Sequence, residues 1–261
     1  MSTQQATAGA VIVSDEQGIR RITLAHPPLN VLTTAMLHQI AQAVDSAAAR
    51  PQTKVILLTG EGARAFCAGV DVAEHTPEHV GDMMHALARA VDALLSAEVP
   101  VVAALNGAAL GGGFELALAC DVVHAHEGVR VGQPEIRLGV FPPVAAALLP
   151  RLVGRQHALD LILSGRTLHA EDAHTLGLIG HVHPVDTFDA EVNAYAGTLA
   201  SHSGAVLRLA KRAVADTAAV SVQEALREAD RIYLEDLMSL HDAHEGLAAF
   251  LEKRTPAWRD A

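Results

Sequence analysis

The stretch VPVVAALNGAALGGGFELAL, Val99–Leu118, decides how the rest of the chain is read. It opens with an apolar, β-branched run that predicts a short buried strand. A loop of small residues follows, then Gly111-Gly112-Gly113, then FELALAC, which predicts a helix. A glycine-rich turn at a helix start exposes backbone N–H groups that have no intrahelical acceptor. Upstream, KVILLTG–EGARAFCAGVD, Lys54–Asp71, repeats the layout of buried strand, small-residue loop and helix start. Strands alternating with helices imply βαβ units and a parallel sheet, hence an α/β fold.

Working outward, AVIVSDEQGIRRITLAH predicts a hairpin turning at Asp15-Glu16-Gln17-Gly18. Met36, Leu37, Ile40 and Val44 recur at helical spacing within a helix predicted over 34–49, and a second helix is expected over 80–95. DVVHAHEG and the residues around Val131 read as further strands. From Gln156 onward helices dominate, over 156–163, 170–176, 204–215, 222–240 and 244–253. No Pro-, Ser- or Gly-rich linker interrupts the chain, which predicts one α/β core followed by a helical extension.

Composition removes several function classes. The 261 residues carry a net charge of −11 without a long basic run, and aromatics make up 3%. Neither a phosphate-neutralising surface nor a base-stacking platform is therefore expected. Cys67 and Cys120 stand in apolar stretches and read as reduced, packed thiols. MSTQQATAGA has neither the charged nor the apolar region of a signal peptide, and no run reaches the ~18 apolar residues of a membrane span, so a cytoplasmic protein is expected. There is no G-x-x-x-x-G-K-[ST] loop, and Gly107-x-x-x-Gly111-Gly112-Gly113 is not the dinucleotide spacing.

Two carboxylates stand out. Glu115 lies two residues beyond the glycine run, and Glu135 follows Pro134 in GQPEIRLGVF, 20 residues later. Each alone reads as an acidic residue favouring a helix start. Together, in apolar junctions, they are costly unless partnered. Two neighbouring desolvated carboxyls should have their pKa values pushed apart, giving one acid and one base. Addition of water to a double bond requires such a pair.

NGAALGGGFELALACD followed by GQPEIRLG resembles the signature of the crotonase superfamily, the enoyl-CoA hydratases and isomerases. AFCAGVD, SGRTLHAEDAHTLGLI and HEGLAAFLEKRTPAW resemble its other segments, so the likeness runs from about Ile22 to Trp258. The resemblance implies a spiral of repeated ββα units over 1–200 carrying the active site. It implies a helical region over 201–261 that covers the site and assembles the chain as a homotrimer or homohexamer. The thioester oxygen would accept hydrogen bonds from the N–H groups of Val70 and Gly112, both at helix starts. Glu115 and Glu135 match the family's two glutamates, with Glu115 activating water and Glu135 delivering a proton. Ala68, Asp71, His75, Gly111, Phe141 and Pro142 are expected around the acyl group. Arg64, Lys253 and Arg254 are expected at the CoA phosphates. An acyl-CoA substrate is therefore expected, with no cofactor, metal, nucleic acid or membrane involved.

One departure bears on the substrate. Many family members carry G-x-x-P-x-x-G-G after the second glutamate, where this chain has Gly139-Val140-Phe141-Pro142-Pro143-Val144-Ala145-Ala146. GQPEIRLGVFPP, VAEHTPEH and YLEDLMSLHDAHEGLAAFLEKR resemble the branch of cyclohexa-1,5-diene-1-carbonyl-CoA hydratases of aromatic degradation, which implies a ring substrate. A straight-chain hydratase, an isomerase, a thioester hydrolase or decarboxylase, and a non-catalytic acyl-CoA binding protein are the competing readings.

Fifteen histidines invite a metal site. Pro77 interrupts the helical spacing of His75 and His79, while His124-x-His126 and His181-x-His183 would each place two rings on one strand face. None of these pairs has a third ligand at a diagnostic spacing, so packed or surface histidines are expected.

Overall fold

The computed structural model describes residues 9–261; the opening residues 1–8, on which most of the signal-peptide reading falls, lie outside them. The chain begins with β1 (Ala10–Glu16) and β2 (Ile19–Ala25), an antiparallel hairpin. Its two-residue turn holds Gln17 and Gly18 at positive φ, the hand that suits the twist of the flanking strands. Helix α1 (Thr34–Ala48) follows, its Thr33 cap accepting a hydrogen bond from Met36 N–H. The chain then coils through β3 (Val55–Gly60), β4 (Ala65–Cys67), α2 (Val80–Ser96), β5 (Val101–Leu105), β6 (Ala108–Leu110), α3 (Gly112–Leu118), β7 (Val122–His126), β8 (Arg130–Gly132) and α4 (Pro143–Ser164). A short strand β9 (Thr167–His169), α5 (Ala170–Thr175), β10 (His181–His183) and α6 (Phe188–Ala200) complete the core, and α7 (Gly204–Thr217), α8 (Val222–Arg231) and α9 (His241–Glu252) form the extension.

The first strand of each unit joins a six-stranded sheet ordered β1-β2-β3-β5-β7-β10, parallel beyond the first hairpin. The second, three-residue strand of the later units joins a separate sheet ordered β4-β6-β8-β9. Each unit is therefore strand, short strand, helix. The repeat expected from two passages recurs in the third, β7-β8-α4. The small-residue loops predicted after β3 and β5 contain the strands β4 and β6, which at three residues are too short to show a period.

Both faces of the central strands β3 and β5 are buried, as strands inside a parallel sheet must be. In β3 and β5, Ile56, Leu58, Val101, Ala103 and Leu105 face the main core, with Met36, Ile40 and Leu94 from α1 and α2. The alternate residues Val55, Leu57, Val102 and Ala104 pack with Phe188 and Val192 of α6. Helix α6 was not expected from the sequence, although Phe188, Val192, Tyr195, Ala196 and Leu199 carry a helical stripe; the polar HVHPVDT before it hides the start.

Two helix boundaries differ markedly from expectation. Helix α4 begins at Pro143, thirteen residues before the predicted start, because proline is accepted in the first helical turn; Gly154 (φ 75°, ψ 165°) then breaks it. The predicted helix over 222–240 stops at Arg231 and continues as a π turn over Ile232–Asp236 and a 3-10 turn over Leu237–Ser239. Past α9 the chain returns to the core: buried Asp242 accepts from the N–H groups of Arg259 and Asp260, and Asp260 pairs with Lys54 at 3.0 Å.

Among the described residues, no helix is long and apolar enough to cross a membrane.

Candidate active site

The glycine run turns the chain from β6 into α3. Gly111 adopts φ 52°, ψ −131°, a conformation that penalises any side chain, and its N–H donates to Gly132 C=O at 3.0 Å. Gly113 is equally forced, since a Cβ there would lie 2.4 Å from Cys67 C=O. This close approach seats α3 against the β4 loop. There Gly69 C=O accepts from Leu32 N–H and Asp71 N–H donates to Leu32 C=O. The Val70 N–H lies between these two bonds and takes part in neither. Gly112, the first residue of α3, likewise has no intrahelical acceptor. The two donors converge, because a Cβ on Gly112 would sit 3.5 Å from Val70 N.

Val70 is not at an α-helix start, contrary to expectation. Asp71 caps a 3-10 turn over Val72–Glu74 by accepting from Ala73 N–H at 2.9 Å, and α2 begins only at Val80. Glu74 in turn accepts from Thr34 N–H, tying the loop to the start of α1.

Glu115 and Glu135 line one cavity of ≈ 420 Å³ together with Val70 and Gly112. Glu115 is 2% exposed, and its Oε1 accepts from Ala145 N–H at 2.8 Å. That N–H belongs to the first turn of α4, so the Pro142-Pro143 start of that helix presents a donor to a carboxyl from another element. Burial drives the Glu115 pKa up to about 7; the Ala145 bond opposes the rise and the nearby Glu135 charge adds to it. Glu135 opens a 3-10 turn over Glu135–Leu138 after Pro134, and burial pushes it to about 7 as well. Desolvation acts on both, and the Glu135 charge raises Glu115 further, so the two carboxyls titrate as a coupled pair.

Of the other residues singled out from the sequence, Ala68, His75, Gly111, Phe141 and Pro142 line this cavity. Asp71 does not; it caps the 3-10 turn. Arg64, Lys253 and Arg254 lie off the cavity wall. Arg254 is engaged by Glu245 at 2.6 and 2.9 Å and by Glu252 at 2.6 Å, while Lys253 is the left-handed residue ending α9. The sequence reading missed Val72, Val80, Met83, Met84, Leu87 and Leu138 of the apolar wall, whereas Val140 and Pro143 belong to the departing segment over 139–146. Met83 and Leu87 are signalled in sequence only as the apolar stripe of α2. Among the described residues, no Lys or Arg lines the cavity.

Cys67 is buried beside the glycine turn, and its Sγ accepts from Gly69 N–H at 3.4 Å. Burial pushes this thiol up to about 12, so it packs and does not react. Both cysteines are free. Among the described residues, no group of three or more His, Cys, Asp or Glu is placed to hold a metal ion. A larger concavity of ≈ 680 Å³ lies between the end of α2 and α7, but its basic residues are occupied: Lys211 pairs with Asp121, Arg212 with Asp236, and Arg208 donates to Thr53 C=O.

The family model described as enoyl-CoA hydratase/isomerase matches residues 14–261. The chain is 39% identical to the cyclohexa-1,5-dienecarbonyl-CoA hydratase of Thauera aromatica over 240 residues, 92% of each chain. It is 36% identical to the 2,3-dehydroadipyl-CoA hydratase of Escherichia coli K12 over 252 residues, 95% of this chain and 98% of that one. The crystal structure of an enoyl-CoA hydratase from Bacillus anthracis superposes with a TM-score of 0.92 at 33% identity, covering 96% of this chain and 99% of that one.

Proposed function

The chain belongs to the enoyl-CoA hydratase/isomerase family, and we propose that within it the protein hydrates a cyclic conjugated dienoyl-CoA. In this reading, cyclohexa-1,5-diene-1-carbonyl-CoA becomes 6-hydroxycyclohex-1-ene-1-carbonyl-CoA. The observation that carries it is one apolar cavity joining two carboxyls raised to about 7 with the converging N–H groups of Val70 and Gly112.

The thioester oxygen accepts from the Val70 and Gly112 N–H groups, which draws electron density away from the ring. Removal of one such donor typically costs ~10²–10³ in rate. Glu115, held through Oε1 by Ala145, uses its other oxygen to take a proton from water. The hydroxyl bonds to the β-carbon, and the first π pair moves into the thioester as a dienolate. Collapse of the dienolate places a double bond between the former two, and the far diene terminus takes a proton from Glu135. Water supplies both the hydroxyl and, after re-equilibration of the glutamates, the proton. The reaction is redox-neutral, so it calls for no cofactor beyond the CoA carried by the substrate.

The wall favours a ring over a charged chain. Val140, Phe141, Pro142 and Pro143 line the cavity with Met83, Met84 and Leu87, and Ala145-Ala146 stand where many family members carry two glycines. The Escherichia coli relative's named substrate ends in a second carboxylate; without a Lys or Arg in the wall, burying that charge here is costly. Assembly as a homotrimer or homohexamer in the cytoplasm belongs to the same reading. It is supported by the exposed Leu247, Phe250 and Leu251 on α9, which a monomer would leave in water.

Purified protein should be given the cyclic dienoyl-CoA and crotonyl-CoA in parallel and the products weighed. A gain of one water on the cyclic diene, lost in Glu115→Gln and Glu135→Gln, is the expected result. Gain on crotonyl-CoA alone would discard the ring substrate, and gain on neither would discard hydration.

A further inference from the structure

Glu135 projects from a short turn, yet its carboxyl is confined on two sides. On one side lies Gly111: a Cβ there would come within 2.7 Å of Glu135 Oε1, so the carboxyl rests directly on the glycine backbone. On the other lies Gln133, which is 0% exposed. With its carboxamide turned so that nitrogen faces the carboxyl, Gln133 donates to Oε1 at 3.0 Å and Oε2 at 3.2 Å, and its own oxygen then faces donors. The backbone beside Gln133 is fixed as well, since the preceding Gly132 C=O accepts from Gly111 N–H at 3.0 Å. Gly111 and Gln133 thus form the two jaws of one clamp, pinned to each other through the main chain.

We infer that Gln133 is a positioning residue: it holds the Glu135 carboxyl against the Gly111 backbone and favours its ionised form. The chemistry of a carboxamide suits this task. Its N–H₂ donates to the carboxylate while its oxygen stays with the donors on the far side. The carboxylate gains more than the acid, because hydrogen bonds to a charged acceptor are roughly twice as strong as neutral ones. The other charged or titratable groups around Glu135 are Glu115 and His75 across the cavity and Arg137 on the same turn, whose guanidinium is directed toward Gly165. None of them donates to the Glu135 carboxyl, so beside the residue's own backbone N–H it is Gln133 that supplies the polar hold.

The assignment of Glu135 as proton donor rests on the proposed hydration, but its hold by Gln133 does not, and the test separates the two. The titration of Glu135 should be followed in whole protein by its carboxyl infrared band, identified by loss in Glu135→Gln. In Gln133→Met the midpoint is expected to rise by about 1 pH unit, the size of shift that losing one charge-assisted bond produces. Turnover on whichever acyl-CoA the protein accepts should fall at least tenfold in kcat with KM changed less than threefold. An unmoved midpoint in folded Gln133→Met would overturn the inference, even if turnover fell. A moved midpoint in a protein that hydrates no substrate would keep the inference and discard the reaction. Should Gln133→Met fail to fold, wild-type protein still decides. One glutamine side-chain amide resonance must titrate with Glu135 and stop doing so in Glu135→Gln, and its absence would equally overturn the proposal.

Discussion

Replacing Glu115 with glutamine should stabilise the protein at alkaline pH while nearly abolishing activity. The folded pKa of about 7 lies above the ordinary value of 4.5, so the unfolded chain gives up this proton first. Stability from this group is therefore complete below pH 4.5 and is lost as pH rises through 7. Taking the two values, the loss is about 1 kcal/mol at pH 5 and about 3 kcal/mol at pH 8.5. Glutamine carries no charge, avoids the repulsion from Glu135, and keeps an oxygen for the Ala145 N–H. The variant should thus gain about 2 kcal/mol more at pH 8.5 than at pH 5, or roughly 4–8 °C in Tm for a chain of this size. Thermal melts of both proteins at the two pH values and one fixed concentration measure it. Turnover should drop by ~10²–10⁴. An equal Tm shift at both pH values, or a loss at pH 8.5, would refute the claim that burial of this carboxyl costs stability.

Gly111→Ala meets both a disfavoured φ of 52° and the Glu135 carboxyl; about 1–3 kcal/mol of destabilisation and a fall in kcat of at least about a hundredfold are expected, read by melting and steady-state kinetics. Phe141→Ala removes a ring from the cavity wall and should lower the preference for the cyclic dienoyl-CoA over crotonyl-CoA by about tenfold, measured as a ratio of kcat/KM values. His124 is buried among His181, His183 and Tyr195, and burial followed by its histidine neighbours holds its pKa down to about 4. Because the folded value is below the ordinary 6.5, stability is complete above pH 6.5 and falls on acidification toward pH 4. About 2–3 kcal/mol should disappear between pH 7 and 4.5 in urea titrations, and His124→Asn should remove that slope.

The residues that were legible in the sequence are those whose constraint is local. VILLTG and VVAAL declare buried strands because both their faces must be apolar, and Gly111-Gly112-Gly113 declares a tight turn because bulkier residues cannot make it. Glu115 and Glu135 declare themselves by standing charged in apolar surroundings. What stayed hidden depends on partners distant in the chain. The Ala145 N–H is unremarkable by composition, and only the coiling of the units sets it against Glu115. The strands β4 and β6 are too short to carry a period. The pairing of β10 with β7 sets His181 opposite His124, a register that the spacing of neither pair reveals. Val70 was read into a helix start because its segment resembles the one around Gly112, yet the chain continues there as a 3-10 turn.

The four ββα units do not each carry a share of the chemistry that could be lifted out. Val70 comes from the second, Gly112 and Glu115 from the third, and Glu135, Gln133 and Ala145 from the fourth. The machinery belongs to the joints between successive coils. Exchanging one coil for that of a relative would change both joints it shares, so recombination that respects unit boundaries should damage this site more than recombination within a helix. A chain severed in the loop between β7 and β8 could recover activity only if its halves re-formed that joint.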